Sequence, residues 1–164
     1  MSNCESTFNE LSQFTSDILS MGRPIIDDRL EVFEVKIGYN LPVDFKFFLK
    51  RSNGFSLVGT EVFGIGNEFK ASSLDAIYDF EHKEVHAKMP HHFLPFSNDG
   101  RGNHYCLDLS RLTDRASPVV FWQWDYEYAS LEEVETCSDS FVLWVKEVMI
   151  DWTLETYNYD GSEK

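Results

Sequence analysis

His104 and Cys106 stand two residues apart in an alternating apolar stretch, the nearest approach in this chain to a base beside a nucleophile. A catalytic thiol needs a neighbouring imidazole or cation to draw off its proton. Spacing of i, i+2 on a strand puts both side chains on one face. The same spacing serves ordinary packing, and Cys106 reads as a small buried hydrophobe. No G-x-S-x-G elbow accompanies it. His82 and His86 have the i, i+4 spacing of a helical zinc pair, but the run between them is Lys-Glu-Val, with Glu84 out of position for a general base. No third ligand follows, so the pair reads as a solvated helix face. The turn Asn98-Asp99-Gly100-Arg101-Gly102-Asn103 has the composition of a calcium loop, yet Arg101 occupies a ligand position and Asp108 falls inside a strand. Its glycines suit a hairpin turn with positive φ. Gly59, Gly64 and Gly66 lack the lysine and following helix of a phosphate loop. No catalytic residue, cofactor site or metal site is assigned, which points to a binding module.

The elements that position these residues follow from periodicity. Residues 5–20 place Phe8, Leu11, Phe14, Ile18 and Leu19 at helical spacing, ended by Gly22 and Pro24. Asp27 or Asp28 caps a second helix carrying Leu30, Phe33, Glu34 and Ile37, stopped by Gly38. Leu41-Pro42 opens a third helix with Phe45, Phe48 and Leu49 on its buried face, and Asn53-Gly54 turns into strands. Residues 55–58 and 61–65 form a hairpin bent at Gly59-Thr60. Ser72 or Ser73 caps a helix through Leu74, Ile77 and Tyr78, with 72–88 otherwise ambiguous. Three strands follow, Phe93–Ser97, His104–Leu109 and Val119–Trp124, then an acidic connection from Tyr126 to Thr136 that contains a short strand or turn. Asp139 or Ser138 begins a last helix with Phe141, Trp144, Val145, Val148, Met149 and Trp152 on one stripe; the tail after Tyr157 is expected to fray. Helices, a run of hairpin strands and a closing helix make an α+β fold, a mainly antiparallel sheet flanked by helices.

A chain of 164 residues with 43% hydrophobic and 15% aromatic content forms one domain with a substantial core. Acidic residues number 28 against 14 basic, a net charge of -14 that disfavours nucleic acid and anionic membrane and steers basic partners inward. Cys4, Cys106 and Cys137 are three, widely spaced, and fit reduced thiols in a cytoplasmic protein. The first residues lack the basic and apolar regions of a signal peptide, and no run of eighteen apolar residues is present.

Two motifs carry a family resemblance: LP-x-D-F-x-x-F-L-x-x-x-N-G over Leu41–Gly54, and P-F-x-x-D-G-x-G-N-x-Y-C-L-D-L over Pro95–Leu109. With PVVFWQWD and SFVLWVKEVM behind them in order, the chain resembles the SUKH superfamily over about residues 26–150. That superfamily takes in fungal Smi/Knr-type cell-wall regulators and many bacterial immunity proteins. The resemblance implies an α+β fold, no catalysis, and a protein partner, commonly a secreted polymorphic toxin with nuclease or deaminase activity. The alternative it implies is a regulatory scaffold docking cellular proteins. Arg101 stands where members often carry a glycine, and Gln123-Trp124-Asp125 where a D-H-E-like run is common.

Charge and resemblance agree on a basic toxin domain as partner, its substrate groove met by carboxylates in place of phosphates. Aromatic anchors dominate most interfaces. The contact residues expected are Trp122 or Trp124, only one of which need be core, with Asp125, Glu127 and Tyr128 beyond them. Asp99, Arg101 and Asn103 on the glycine turn come second.

Overall fold

A computed structural model describes residues 2–66, 69 and 72–164. The first helix, α1 (Ser2–Leu11), is shorter than its periodicity predicts. It ends in a turn at Ser12-Gln13, and a second polar turn follows at Thr15-Ser16-Asp17, in which the Ile18 and Leu19 amides donate to the Thr15 carbonyl at 3.1 and 3.0 Å. Ile18 and Leu19 therefore leave the helix, and β1 (Leu19–Met21) pairs antiparallel with β2 (Phe55–Leu57). Helix α2 (Asp27–Ile37) takes Ile26 as its N-cap, so Asp27 and Asp28 lie in its first turn rather than capping it. There they favour the positive end of the helix dipole. Gly38 ends α2 at φ 79°, its amide donating to the Glu34 carbonyl. Pro42 precedes α3 (Val43–Arg51), as its missing N–H allows.

The hairpin from β2 to β3 (Thr60–Val62) turns one residue earlier than expected, at Val58-Gly59 with φ 49° and 89°. Leu57 and Thr60 are the closing pair. Ser73 caps α4 (Leu74–Asp79), accepting the Ala76 amide at 3.2 Å, and a π-helical turn, Phe80–Glu84, continues it.

A second antiparallel sheet runs β4 (Phe93–Asn98), β5 (His104–Asp108), β6 (Val119–Trp122) and β7 (Glu135–Ser138) in sequence order. A bulge lies between Pro95 and Ser97. The two sheets meet where the Phe63 amide donates to the Phe96 carbonyl at 2.8 Å. Ser140, not Asp139 or Ser138, caps the last helix, accepting the Leu143 amide at 3.1 Å. It runs α5 (Phe141–Trp144), a π-helical stretch (Val145–Asp151) and α6 (Trp152–Thr156). The tail is docked rather than frayed: Tyr159 packs on Phe14 at 4.8 Å and its hydroxyl donates to Glu10 at 2.7 Å.

Alternation along the second sheet divides the core. Leu94, Phe96, Leu107 and Val119 face the helices, where Phe141 meets Phe45 and Trp144 meets Phe96, each at 4.8 Å and edge-on. Phe93, Cys106, Val120 and Trp122 face the other way and form a smaller core with Met89 and Val134. The π-helical turn, through Glu81 beside His104, and the connecting segments before β4 and β7 close that second face. Both family-like motifs serve this architecture. The Asn53 side chain exchanges two 2.8 Å hydrogen bonds with the Ile65 backbone. Buried Asp44 accepts the Phe45 and Val142 amides at 2.8 and 3.1 Å, tying α3 to α5.

Candidate functional site

The expected contact residues fall into one neighbourhood built on the β4–β5 turn. Asp99 organises that turn: its carboxylate accepts the Arg101 amide at 2.8 Å, the Asn103 amide at 3.2 Å and the Asn103 side-chain amide at 2.8 Å. Burial pushes the Asp99 carboxyl up, and the bonds from Asn103 and Arg101 outweigh it, leaving its pKa below the usual value. With its oxygens so engaged, Asp99 serves the turn rather than a metal ion.

Strand β6 ends at Trp122, two residues short of expectation, because the chain turns at Trp124-Asp125. Trp122 points into the second core at 5% exposure, which removes it as a surface contact. Trp124 lies outside the strand and is 58% exposed. It is nonetheless fixed. Its backbone amide donates to the Asn103 side-chain oxygen at 3.2 Å, and its indole N–H donates to the Arg101 carbonyl at 3.0 Å. The indole covers Gly102, where a Cβ would sit 2.8 Å from its Cδ1. Asp99, Arg101, Asn103 and Trp124 thus form one hydrogen-bonded unit.

Beyond Trp124, Asp125 and Glu127 are exposed and Tyr128 is half-buried over Trp122, ring centroids 4.6 Å apart. The Tyr128 hydroxyl accepts the Gln123 amide at 3.0 Å, holding the loop shut. Tyr126, not singled out by sequence, is exposed and packs on Tyr128 at 4.7 Å, while its hydroxyl donates to Glu133 at 3.0 Å. The Glu133 hydrogen bond, and then its charge, raise the Tyr126 pKa. Leu131 is exposed beside them, on a 3-10 turn (Leu131–Glu133). Together with Lys88, Pro90 and Trp122 these side chains line a hollow of about 330 Å3. The sequence signal for Tyr126 was its place in an aromatic run with Trp124 and Tyr128; Leu131 gave none. This surface offers preordered rings, several carboxylates and few cations, a chemistry of recognition.

The residues considered for catalysis and metal binding are committed elsewhere. Cys106 is 0% exposed, and burial, then the Glu81 charge, pushes its thiol well above the ordinary value. Its sulfur lies 4.0 Å from the His104 backbone carbonyl, and the His104 ring faces Glu81 at 3.4 Å. A protonated, enclosed thiol is a poor nucleophile. His82 is buried, not solvated as its spacing suggests, with ring nitrogens on the Tyr78 and Pro90 carbonyls at 2.6 and 2.9 Å. Burial holds its pKa below the usual imidazole value. His86 follows the end of the helical turn and is exposed, so the two rings do not share a face. Among the described residues no three His, Cys, Asp or Glu side chains group to hold a metal, and no helix is long and apolar enough to cross a membrane.

A model of the SMI1 / KNR4 family (SUKH-1) matches residues 24–147. Among solved structures, a protein from Pseudomonas syringae pv. tomato is similar in fold, with a TM-score of 0.61 at 18% identity over 90% of this chain and 98% of that one. No curated protein matches the chain.

Proposed function

Because the chain belongs to the SMI1 / KNR4 family (SUKH-1), a family of immunity proteins and related domains, we propose that it is an immunity protein. It binds and neutralises a secreted polymorphic toxin in the cytoplasm without catalysing a reaction. The toxin domain is basic, of the nuclease or deaminase kind, and the acidic chain offers carboxylates where that domain expects phosphates. The observation that carries this reading is the fixed, 58% exposed Trp124 beside Asp125 and Glu127. An anchor already held by two hydrogen bonds loses little freedom on docking.

In this reading Trp124 is the central anchor, Tyr126 and Tyr128 extend the apolar contact, and Asp125 and Glu127 pair with basic side chains. Arg101 and Asn103 act through the turn that holds the indole. The test is co-expression with candidate basic toxin domains of the nuclease and deaminase kinds. Wild type should restore growth, and Asp125→Lys with Glu127→Lys should not. Equal rescue by both forms rejects this face; no rescue by either rejects the immunity role, as a regulatory scaffold would show.

A further inference from the structure

The helix-facing side of the second sheet is left partly open at one end. Tyr105, Phe121 and Glu135 form a cross-strand row over β5, β6 and β7. Trp152 stands over this row at the end of the π-helical stretch, 56% exposed. Two hollows of about 280 and 260 Å3 adjoin it, sharing Tyr105, Val148 and Trp152. Each is smaller than the about 300–1,000 Å3 typical of small-molecule sites. Together they make a trough with room for side chains on either side of one indole.

The trough's charge selects its occupant. Glu135 and Glu147 line one hollow and Asp99 the other, and neither lining contains a lysine or arginine. Lys146, on the adjacent turn of helix, is held by Glu10 and Asp151, each at 2.9 Å. Local pKa values follow the same field. Burial, then Glu135, raises the Cys137 thiol to about 11. Burial, followed by the charges of Cys137, Asp99 and Glu135, raises Tyr105.

We infer that this trough is a second docking surface, and that it takes an extended segment of a protein partner bearing arginine or lysine at alternate positions. Alternate residues of an extended strand project to the same side about 7 Å apart, so two can straddle the indole. A guanidinium or ammonium over Trp152 gains cation–π attraction. Its aliphatic stem packs on Phe121 and Val148, and its head pairs with Glu147 or Glu135. An acidic or purely apolar segment meets Glu135 and Glu147 and gains none of this. The inference is independent of the Trp124 surface, which lies beyond the Asp99–Asn103 turn.

The test uses the full chain, 15N-labelled, titrated with the peptide acetyl-Val-Arg-Val-Arg-Val-amide and its glutamate counterpart. Indole N–H signals are assigned by single Trp→Phe substitutions. The arginine peptide should shift the Trp152 indole signal, and the glutamate peptide should not. Glu147→Lys, an exposed change that spares the core, should weaken binding at least tenfold, while Asp125→Lys with Glu127→Lys leaves it unchanged. An unmoved Trp152 signal, equal response to both peptides, or loss of binding only in the Asp125/Glu127 variant would overturn the inference.

Discussion

Gly102 meets two constraints at once: its φ of 92° suits glycine, and any Cβ there would press on Trp124. Gly102→Ala should cost about 1 kcal/mol or more and release the indole from the Arg101 carbonyl. Faster hydrogen exchange at the Trp124 indole N–H would register this; an unchanged rate would mean the turn does not hold the ring. Residue types made Trp124, Asp125, Glu127 and Tyr128 legible as a group. They did not separate Trp122 from Trp124. The expectation that the two take alternate faces of one strand, so that only one need be core, is wrong in its reason: an i, i+2 pair on a continuing strand shares one face, and only the turn at Trp124-Asp125 parts them.

Elements with strong periodicity and a stop residue were readable: α2 with Gly38, α3 after Pro42, and the three strands of the Phe93–Trp122 block. The misread elements lacked such punctuation. Ile18 and Leu19 fit both a helix stripe and a strand, and the Thr15-Ser16-Asp17 turn carries neither Gly nor Pro. The short strand or turn expected in the acidic connection is β7, a polar edge strand whose lack of alternation leaves its bounds unmarked. Removing the last helix's cap with Ser140→Ala should cost about 1 kcal/mol in urea unfolding; a loss near zero would mean the cap bond carries little. Asp44 joins α3 to α5. Burial raises its carboxyl above the ordinary 3.8, against the opposing pull of the Val142 and Phe45 amides. A raised folded pKa means the fold holds that proton more tightly than the unfolded chain. Its contribution is therefore fully present below pH 3.8 and is lost as pH rises through the folded value. The stability of wild type relative to Asp44→Asn should fall as pH rises from below that point to neutrality; a difference that grows with pH would contradict the burial argument.

Over the whole molecule, a charge of -14 surrounds the two proposed docking surfaces, which are joined by one glycine turn. Such a field acts mainly on the rate of encounter. Association with a basic toxin domain should therefore slow about tenfold or more between low and high salt, while dissociation changes little. A salt-independent association rate would leave the net charge to solubility alone. The central claim is that Trp124 with Asp125 and Glu127 contacts the toxin. Its most direct test is calorimetry of a purified basic toxin domain, one that wild type neutralises in co-expression, against wild type and the Asp125→Lys, Glu127→Lys variant. Binding should weaken at least about tenfold, or about 1.4 kcal/mol, with folding stability within about 0.5 kcal/mol of wild type. Equal affinity for both proteins would contradict it.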